Sequence, residues 1–337
     1  MVEDASSSGA PTLEAVAARA GVSRATVSRV VNGSTTVKPE AIRAVQQAIA
    51  ELDYVPNRAA RSLASRRTQT IALIVPESAA KVFADPFFAS VVQGVALALA
   101  RTDYTLTMLI ESEADPTKTG RYLRGGNVDG GIVVSHHESD HSYVDAGIPM
   151  VFGGRPIDGG ESAGPTVDVD NRNAARAAVE HLVERGRTCV ATIAGPQDMP
   201  PGLDRFAGFR EALEAAGLDA SLVEFGDFTP ASGAIAMRRL LERGVPIDAL
   251  FAANDQMAIG AYSAIREAGL SIPEDIAVVG FDDDVHSATA VPPLTTVHQP
   301  SVDMGASMAS ILVDLIEGRE APTATLLPTT LVVRQSS

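Results

Sequence analysis

The chain lacks features that several classes of protein depend on. Its 337 residues include no tryptophan and one cysteine, Cys189. A single cysteine excludes a disulfide framework within the chain. There is no run of 18 apolar residues, no apolar signal segment in the start MVEDASSSGAPT, and no nucleophile–base pattern, phosphate loop or G-x-G-x-x-G motif. We therefore expect a cytoplasmic protein without membrane contact, catalytic activity or cofactor, and interpret Cys189 as a small buried hydrophobic residue.

Charge is unevenly distributed along the chain. The net charge is −15, but residues 12–67, the head, hold nine basic and four acidic residues, so the head carries +5 and the remainder −20. A basic head joined to an acidic body confines the attraction for phosphate groups to one segment. This asymmetry favours a nucleic-acid contact by the head, although the total charge alone would argue against one.

The head begins with two short helical patterns separated by a glycine. Thr12 can cap the first helix, Gly21 suits the positive φ of a tight turn, and Ser23 can cap the second helix. In the second helix the inward-facing positions are 27, 30 and 31, and the outward-facing positions are 24, 25, 28 and 29. A third helix with an apolar stripe follows Pro39, so the pattern predicts a helix-turn-helix with a supporting helix.

The segment after YVPN (54–57) distinguishes a DNA-binding head from an ordinary three-helix bundle with solvated arginines. Residues 58–68, RAARSLASRRT, are basic and contain a single leucine, Leu63. The segment is too short for a stable isolated helix in water, and a leucine between arginines suits a wedge between base steps in the minor groove. We therefore predict that the head binds duplex DNA.

Two ordered motifs of the head closely resemble those of the LacI/GalR (lactose/galactose repressor) family of bacterial transcriptional regulators. They are A-x-x-A-G-V-S-x-x-T-V-S-R-V-V-N-G and Y-V-P-N-x-x-A-R-x-L, followed by a strand. The resemblance implies that Arg24, Ala25 and Arg29 face base edges, since arginine suits guanine O6/N7 and alanine suits a thymine methyl. The implied phosphate contacts are Thr12, Ser23, Thr26, Ser28 and Asn32, and the implied hinge-helix wedge is Leu63 and Ala64.

From Thr70 the chain alternates apolar runs with amphipathic helical patterns. The apolar runs are IALIV (71–75), TLTMLI (105–110), GIVVS (131–135), PMVF (149–152), CVATIAG (189–195), ALFAA (249–253) and IAVVGF (276–281). The helical patterns span 87–101, 172–185, 203–216, 230–243 and 256–268. Continuous apolar strands with helices between them indicate parallel sheets, and their number favours two doubly wound lobes facing a cleft.

The predicted fold class is therefore an all-α helix-turn-helix head plus an α/β body of two doubly wound parallel-sheet lobes. The resemblance implies the type I periplasmic-binding-protein-like form, with the chain crossing between lobes near 165–170, 295–300 and 325–328. The predicted domains are a disordered tail (1–11), a helix-turn-helix domain (12–57), a hinge helix and linker (58–68) and an effector-binding and dimerisation domain (69–337). Its predicted lobes are an N-lobe of about 69–166 and 300–325, and a C-lobe of about 167–299 and 326–337.

Ligand-binding candidates are polar or aromatic residues just past strand ends. Phe87 and Phe88 begin a helix, where core packing and ligand stacking are equally good interpretations. The resemblance implies that Arg205 anchors the ligand through its rigid donor fork and that Phe228 packs on a ligand ring. The other predicted effector contacts are His136, Arg155, Asn254, Asp255 and Asp282.

Departures from the family pattern narrow the predicted effector. Met199 and Pro201 stand where purine-binding relatives place polar contacts, which disfavours a nucleobase. Gly153 and Gly154 lack the acidic residue that some sugar-binding relatives carry there. We therefore predict a sugar or sugar derivative, with its identity open.

A histidine-rich loop has a second interpretation as a metal site. It contains His136, His137, Glu138, Asp140 and His141, and imidazole and carboxylate are competent metal ligands. Sequence neighbours in a loop rarely point at one centre, however. We therefore predict no metal and assign His136 to hydrogen bonding in the cleft.

Together these features predict a repressor that binds a palindromic operator as a homodimer, because one head reads only half a site. A small-molecule effector switches it only by binding the open and closed cleft with different affinity, and release from operator is the predicted sign. A co-repressor mechanism and a DNA-binding protein without effector control are the alternatives. We expect the protein in the bacterial cytoplasm, on the nucleoid when bound to DNA.

Overall fold

The computed structural model describes residues 11–31, 36–54, 67–110, 117–137, 146–155 and 164–337. The chain divides into two units, residues 1–68 and residues 69–337. Several predictions lie outside the described ranges. They concern residues 1–10 of the tail, most of the hinge helix, Asn32, Leu63 and Ala64.

Three helices build the head: α1 (Leu13–Ala20), α2 (Arg24–Val31) and α3 (Pro39–Leu52). Thr12 caps α1, since its Oγ1 accepts a hydrogen bond from Ala15 N at 3.3 Å. Gly21 ends α1 with a φ of 66°, which a residue with a Cβ adopts only with strain. The head therefore has the helix–turn–helix geometry that its caps and glycine predict.

The core of the head is small and takes one valine from each helix. Val16 on α1, Val27 on α2 and Val45 on α3 are all fully buried. Val30 and Val31 pack against this cluster and are partly buried. The inward face of α2 is therefore the predicted one, and its opposite face is left to solvent.

The N-lobe is a parallel sheet of six strands in the order β11-β5-β4-β3-β1-β2. Its strands are β1 (Thr70–Val75), β2 (Thr105–Ile110), β3 (Gly130–Val134), β4 (Met150–Gly153), β5 (Thr166–Val169) and β11 (Ala324–Leu327). Its helices are α4 (Ala79–Ala84), α5 (Pro86–Leu99), α6 (Thr117–Arg124) and α11 (Ser301–Ile316). The central strands β1 and β3 are buried almost throughout, as expected for a sheet covered on both faces.

The C-lobe repeats this plan in the order β12-β10-β9-β8-β6-β7, with only the β10–β12 pair antiparallel. Its strands are β6 (Val190–Ala194), β7 (Val223–Phe225), β8 (Ala249–Ala252), β9 (Ala277–Asp282), β10 (Thr295–His298) and β12 (Thr330–Val332). Its helices are α7 (Asn171–Glu184), α8 (Pro200–Ala215), α9 (Pro230–Glu242) and α10 (Asp255–Glu267). The two doubly wound lobes predicted from the sequence are therefore present.

The predicted lobe boundaries need correction by a few residues. The chain passes between the sheets after β5, after β10 and between β11 and β12. Residues 167–169 therefore belong to the N-lobe rather than the C-lobe, and residues 326–327 do too. The segments expected to be crossings are largely strands, because their backbone groups gain hydrogen-bond partners by extending each sheet.

Helices pack closely on the N-lobe through small residues. At Gly94 of α5 an added Cβ would lie 1.9 Å from Val302 O of α11, so only glycine permits this approach.

In the parts of the chain that the structure describes, no helix is long and apolar enough to span a membrane.

Candidate ligand cleft and nucleic-acid interface

A cleft of about 680 Å³, including space open to solvent, lies between the carboxyl ends of the two sheets. The structure brings seven of the predicted effector contacts to its walls: Phe87, Phe88, His136, Arg205, Phe228, Asn254 and Asp282. It also brings there polar residues that sequence reasoning missed: Lys81, Asp85, Ser135, Asp168, Asn171 and Gln299. The cleft has the position expected for a ligand site in doubly wound sheets.

Arg205 of α8 lies at the cleft floor and is only 4% exposed. We call it the hub, because its guanidinium contacts four neighbouring residues. Its Nε donates to Asn171 Oδ1 at 2.9 Å, its Nη1 to Ala253 O at 2.7 Å, and its Nη2 to Gln299 Oε1 at 2.8 Å. Nη1 also lies 3.3 Å from Asp282 Oδ1. Most of its donor fork therefore binds protein, including residues beside two of the lobe crossings.

Three carboxylates surround the cleft, and burial raises the pKa of each. The pKa of Asp282 is well above its usual value and that of Asp168 is raised less, with Arg205 opposing both shifts. The pKa of Asp85 is raised to about 6 by burial, although its Oδ1 accepts a hydrogen bond from Phe87 N at 2.9 Å. Such carboxylates gain by accepting hydrogen bonds from a ligand's hydroxyl groups.

Phe228 is held in the cleft by strained and close-packed backbone. Its φ is 69°, in the left-handed region that non-glycine residues rarely adopt. Asn254 Nδ2 donates to Phe228 O at 3.0 Å, and a Cβ at Gly195 would lie 2.4 Å from the Phe228 ring. These contacts fix the position of the ring in the cleft.

Phe87 and Phe88 have different environments at the start of α5. Their rings meet edge to face with centroids 5.4 Å apart. Phe88 is 3% exposed and joins the main hydrophobic core, whereas Phe87 is half-buried at the cleft wall. Phe88 therefore serves core packing, and Phe87 is the ring available for stacking on a ligand.

Two predicted effector contacts do not reach the cleft wall. Asp255 is fully buried, where its Oδ1 accepts from Thr296 Oγ1 at 2.6 Å and its Oδ2 from Asp284 N at 3.0 Å. Asn254 caps α10, and the next residue is rotated about 100° around the helix, which turns Asp255 inward. Arg155 instead places its guanidinium on Asp204 of the opposite lobe.

The missed cleft residues gave weak signals in the sequence. Asp85 precedes Pro86 and caps α5, which is an ordinary helix-start pattern. Asp168 is the outward position of the short strand TVDV, and Gln299 follows β10 at a lobe crossing. These residues are cleft residues only because separate segments meet there, and nothing local in the sequence indicates this.

The two described histidines of the histidine-rich loop contact different partners. His136 Nε2 lies 3.2 Å from Arg155 O, whereas the His137 ring lies between Glu77 and Asp198. Glu138, Asp140 and His141 fall outside the described residues. Within the described ranges no group of three or more metal-ligating side chains occurs.

The outward face of α2 presents the predicted DNA-reading residues to solvent. Arg24, Ala25 and Arg29 are all exposed. Arg24 Nη1 forms an exposed ion pair with Glu14 Oε1 at 3.1 Å, which leaves the guanidinium at the surface. The predicted phosphate contacts at the helix start are exposed or half-buried. They are Thr12, Ser23, Thr26 and Ser28.

Ser23 also caps α2, since its Oγ accepts from Thr26 N at 3.1 Å and lies 2.9 Å from Thr26 Oγ1. A helix N-terminus with hydroxyls and nearby arginines is suited to a phosphate backbone. A basic helix-turn-helix joined to a two-lobed ligand-binding body defines the class of DNA-binding transcription regulators with a sensor domain.

Comparison with known proteins identifies the family. Residues 12–57 match the model of bacterial regulatory proteins of the lacI family, and residues 179–337 match the periplasmic binding protein-like domain. The HTH-type transcriptional regulator CelR of Thermobifida fusca is 48% identical over 333 residues, covering 97% of this chain and 98% of CelR. The chain belongs to the lacI family of transcription regulators and is not an enzyme.

Two solved structures of similar proteins match almost the whole chain. The CelR–cellobiose complex is 46% identical with a TM-score of 0.77, covering 97% of this chain and 100% of CelR. The Lac repressor dimer bound to operator and the anti-inducer ONPF is 29% identical with a TM-score of 0.84, covering 97% of this chain and 99% of that one. The head and the two-lobed body are therefore those of the family.

Proposed function

We propose that the protein is a repressor whose homodimer binds a palindromic operator and leaves it when a neutral sugar of about disaccharide size fills the cleft. The observation that carries the ligand class is the pairing of charges at the walls. Lys81 Nζ is already bonded to Glu77 at 2.7 Å, and Arg205 to Asp282 at 3.3 Å. An anionic ligand would therefore meet Asp85 with no spare cation among the described wall residues.

Relatives support this ligand class and suggest a first candidate. A structure of CelR, 46% identical to this chain, holds cellobiose. The aromatic wall residues Phe87 and Phe228 suit the apolar faces of sugar rings, and the carboxylates suit their hydroxyls. Gly153 and Gly154 also line the cleft, and their lack of side chains leaves room for a ligand beside these residues.

Calorimetric titration with cellobiose, glucose 6-phosphate and a purine base tests the ligand class. We expect cellobiose to bind and the other two compounds not to bind. Asp282→Asn should abolish cellobiose binding. The exposed Glu274→Gln of the same lobe is the matched control and should bind normally. Equal or tighter binding of the phosphorylated sugar would contradict the charge argument.

The direction of switching is tested on operator DNA selected from random duplexes. We expect saturating cellobiose to lower the affinity of the protein for that DNA. Tighter DNA binding with the sugar would instead favour a co-repressor, and an unchanged affinity would favour a DNA-binding protein without effector control. Light scattering of the free and DNA-bound protein measures whether two chains bind one palindrome.

Reading of the operator by α2 is tested with matched arginine variants. Arg24→Ala and Arg29→Ala should each weaken operator binding by about 1–3 kcal/mol and relax base preference at one position. Arg43→Ala removes another exposed charge, on α3, and should lower affinity for all duplexes slightly and uniformly. Equal losses in all three variants would reject base reading by α2.

The proposed wedge is tested separately, because Leu63 and Ala64 lie outside the described residues. Leu63→Ala should weaken operator binding and reduce DNA bending, measured by mobility of permuted fragments. Unchanged affinity would reject the wedge. We further propose that the protein acts in the bacterial cytoplasm and on the nucleoid, which a fluorescent fusion would test.

A further inference from the structure

The two lobes are joined by an ion pair that does not belong to the cleft wall. Arg155 follows β4 in the N-lobe, and Asp204 lies on α8 of the C-lobe. Arg155 Nε donates to Asp204 Oδ2 at 2.9 Å and Nη2 donates to Oδ1 at 2.6 Å. The contact is therefore a two-pronged, charge-assisted pair, the geometry that gives arginine–carboxylate contacts their strength.

A second contact crosses between the lobes beside it. His137, just past β3, places Nδ1 2.8 Å from Asp198 Oδ2, in the turn before α8. The opposite ring atom, Nε2, lies 3.3 Å from Glu77 Oε1, and Glu77 also accepts from Lys81 Nζ at 2.7 Å. The His137 ring is therefore bound on one side by Glu77 of the N-lobe and on the other side by Asp198 of the C-lobe.

We propose that Arg155 and Asp204, assisted by His137 and Asp198, form an inter-lobe latch that positions the start of α8 and holds the cleft closed over its ligand. Asp204 directly precedes Arg205, the hub of the cleft floor, so the latch and the hub are consecutive residues of one helix. Arg155 N also donates to Asp168 Oδ2 at 3.2 Å, which ties the latch to a wall residue of the N-lobe.

The two arms of the latch differ in strength. The Asp198 side chain is 55% exposed, and exposed ion pairs contribute little. The Arg155 and Asp204 side chains are 40% and 20% exposed, and two hydrogen bonds join them where one joins His137 to Asp198. The Arg155–Asp204 arm therefore carries most of the effect, and it exists only when the lobes approach each other.

The latch acts on ligand binding through the population of the closed form. A ligand enclosed by both lobes leaves only when they part, so loss of the latch should raise the dissociation rate. Apparent affinity falls in proportion to the closed fraction, so a loss of about tenfold is the expected scale for one such pair. The four latch residues are positioning residues, because none of them lines the cleft.

The first test measures cellobiose binding kinetics by stopped flow. We expect Arg155→Ala to raise the dissociation rate about tenfold with little change in the association rate. Arg155→Lys should be intermediate, because it keeps the charge but loses the fork. The double variant Arg155→Ala/Asp204→Ala should not dissociate faster than the faster of the two single variants, because each single variant already removes the whole ion pair.

A matched control separates the latch from a general loss of ion pairs. Arg172 of α7 is paired with Glu211 on the same helix α8, but entirely within the C-lobe. Arg172→Ala should leave both rates unchanged, and circular dichroism should show that every variant is folded. A normal dissociation rate in folded Arg155→Ala, or an equal rise in Arg172→Ala, would overturn the latch.

A second test needs no ligand, so it stands even if the proposed sugar is wrong; the latch rests on the proposed function only for its probe. Spin labels at Lys118→Cys and Arg210→Cys, in a Cys189→Ser background, report the distance between the lobes. We expect Arg155→Ala to lengthen and broaden this distance and Arg172→Ala to leave it unchanged. An unaltered distance would overturn the latch, whereas a lengthened distance without cellobiose binding would overturn only the ligand assignment.

Discussion

The two walls of the cleft are built from the same kind of strand end but differ in how firmly their side chains are held. On the C-lobe wall Arg205 and Asn254 are 4% and 2% exposed, and both are hydrogen-bonded to neighbouring backbone. On the N-lobe wall Phe87 and Asp85 are half-buried, and the one hydrogen bond the structure gives the Asp85 side chain comes from its own helix. The C-lobe wall is therefore firmly held, whereas the part of the N-lobe wall at Asp85 and Phe87 is held less firmly.

This difference bears on how a ligand could switch the protein. A contact that the ligand makes with the C-lobe in both open and closed forms adds affinity but shifts no equilibrium. We expect contacts with Phe87 and Asp85 to form only when the N-lobe closes on the ligand. We therefore expect the C-lobe to set how tightly the ligand is held at first and the N-lobe to convert binding into closure.

The largest expected effect tests the organisation of the C-lobe wall. Arg205→Ala should lower the free energy of unfolding by about 3–5 kcal/mol, because it removes the cation beside Asp282 and leaves the acceptors on Asn171, Ala253 and Gln299 without their donor. Chemical denaturation measures this loss, and ligand binding should disappear with it. Arg210→Ala on the exposed face of α8 is the control and should change stability little. A loss below about 1 kcal/mol in Arg205→Ala would mean that this wall is not held by its hub.

An intermediate effect is expected on the N-lobe wall, and it should fall on ligand binding alone. Asp85→Asn keeps the cap on α5 but weakens acceptance of a hydroxyl, so cellobiose affinity should drop by about 1.5–3 kcal/mol. The free energy of unfolding at pH 7 should be unchanged or higher, because the pKa of about 6 shows that the ionised carboxyl is disfavoured there. Asp103→Asn, in an exposed turn, is the control, and a clear stability loss in Asp85→Asn would remove the contrast between the walls.

The smallest expected effect concerns pH and the contact beside the N-lobe wall. Hydrogen bonding to Glu77, with Asp198 adding to it, raises the pKa of His137 to about 9. The folded form therefore keeps a proton that the unfolded form loses near pH 6.5, so this stabilisation is complete below pH 6.5 and is lost as pH rises through 9. We expect the free energy of unfolding to fall by about 1–2 kcal/mol over that range.

Denaturation at pH 6.5 and 9.5 measures this fall. His137→Gln should reduce the pH dependence, and the exposed His286→Gln should leave it unchanged. If the free energy of unfolding of the wild-type protein does not change over this range, the pKa of His137 is not raised.

Prediction from sequence placed residues at the cleft wall where that position follows from one local segment. Asn254 and Asp282 were found because each ends an apolar strand, and in parallel sheets strand ends meet at one edge. It failed one residue further along, at Asp255, because helix rotation turned that side chain inward. Lys81 and Asp168 were missed for the opposite reason: their own segments look ordinary, and only the neighbours that reach them make them cleft residues.

The sequence by itself determined the head, the alternation of strands and helices, and the strand-end residues of the C-lobe, because caps, turns and hydrophobic periods are local properties of the chain. Only the tertiary structure decided that Arg155 meets Asp204, that Arg205 binds residues beside two crossings, and that β10 and β11 extend the sheets. These contacts join positions that are tens of residues apart, where the approach depends on how whole lobes pack and on which buried polar groups need a partner.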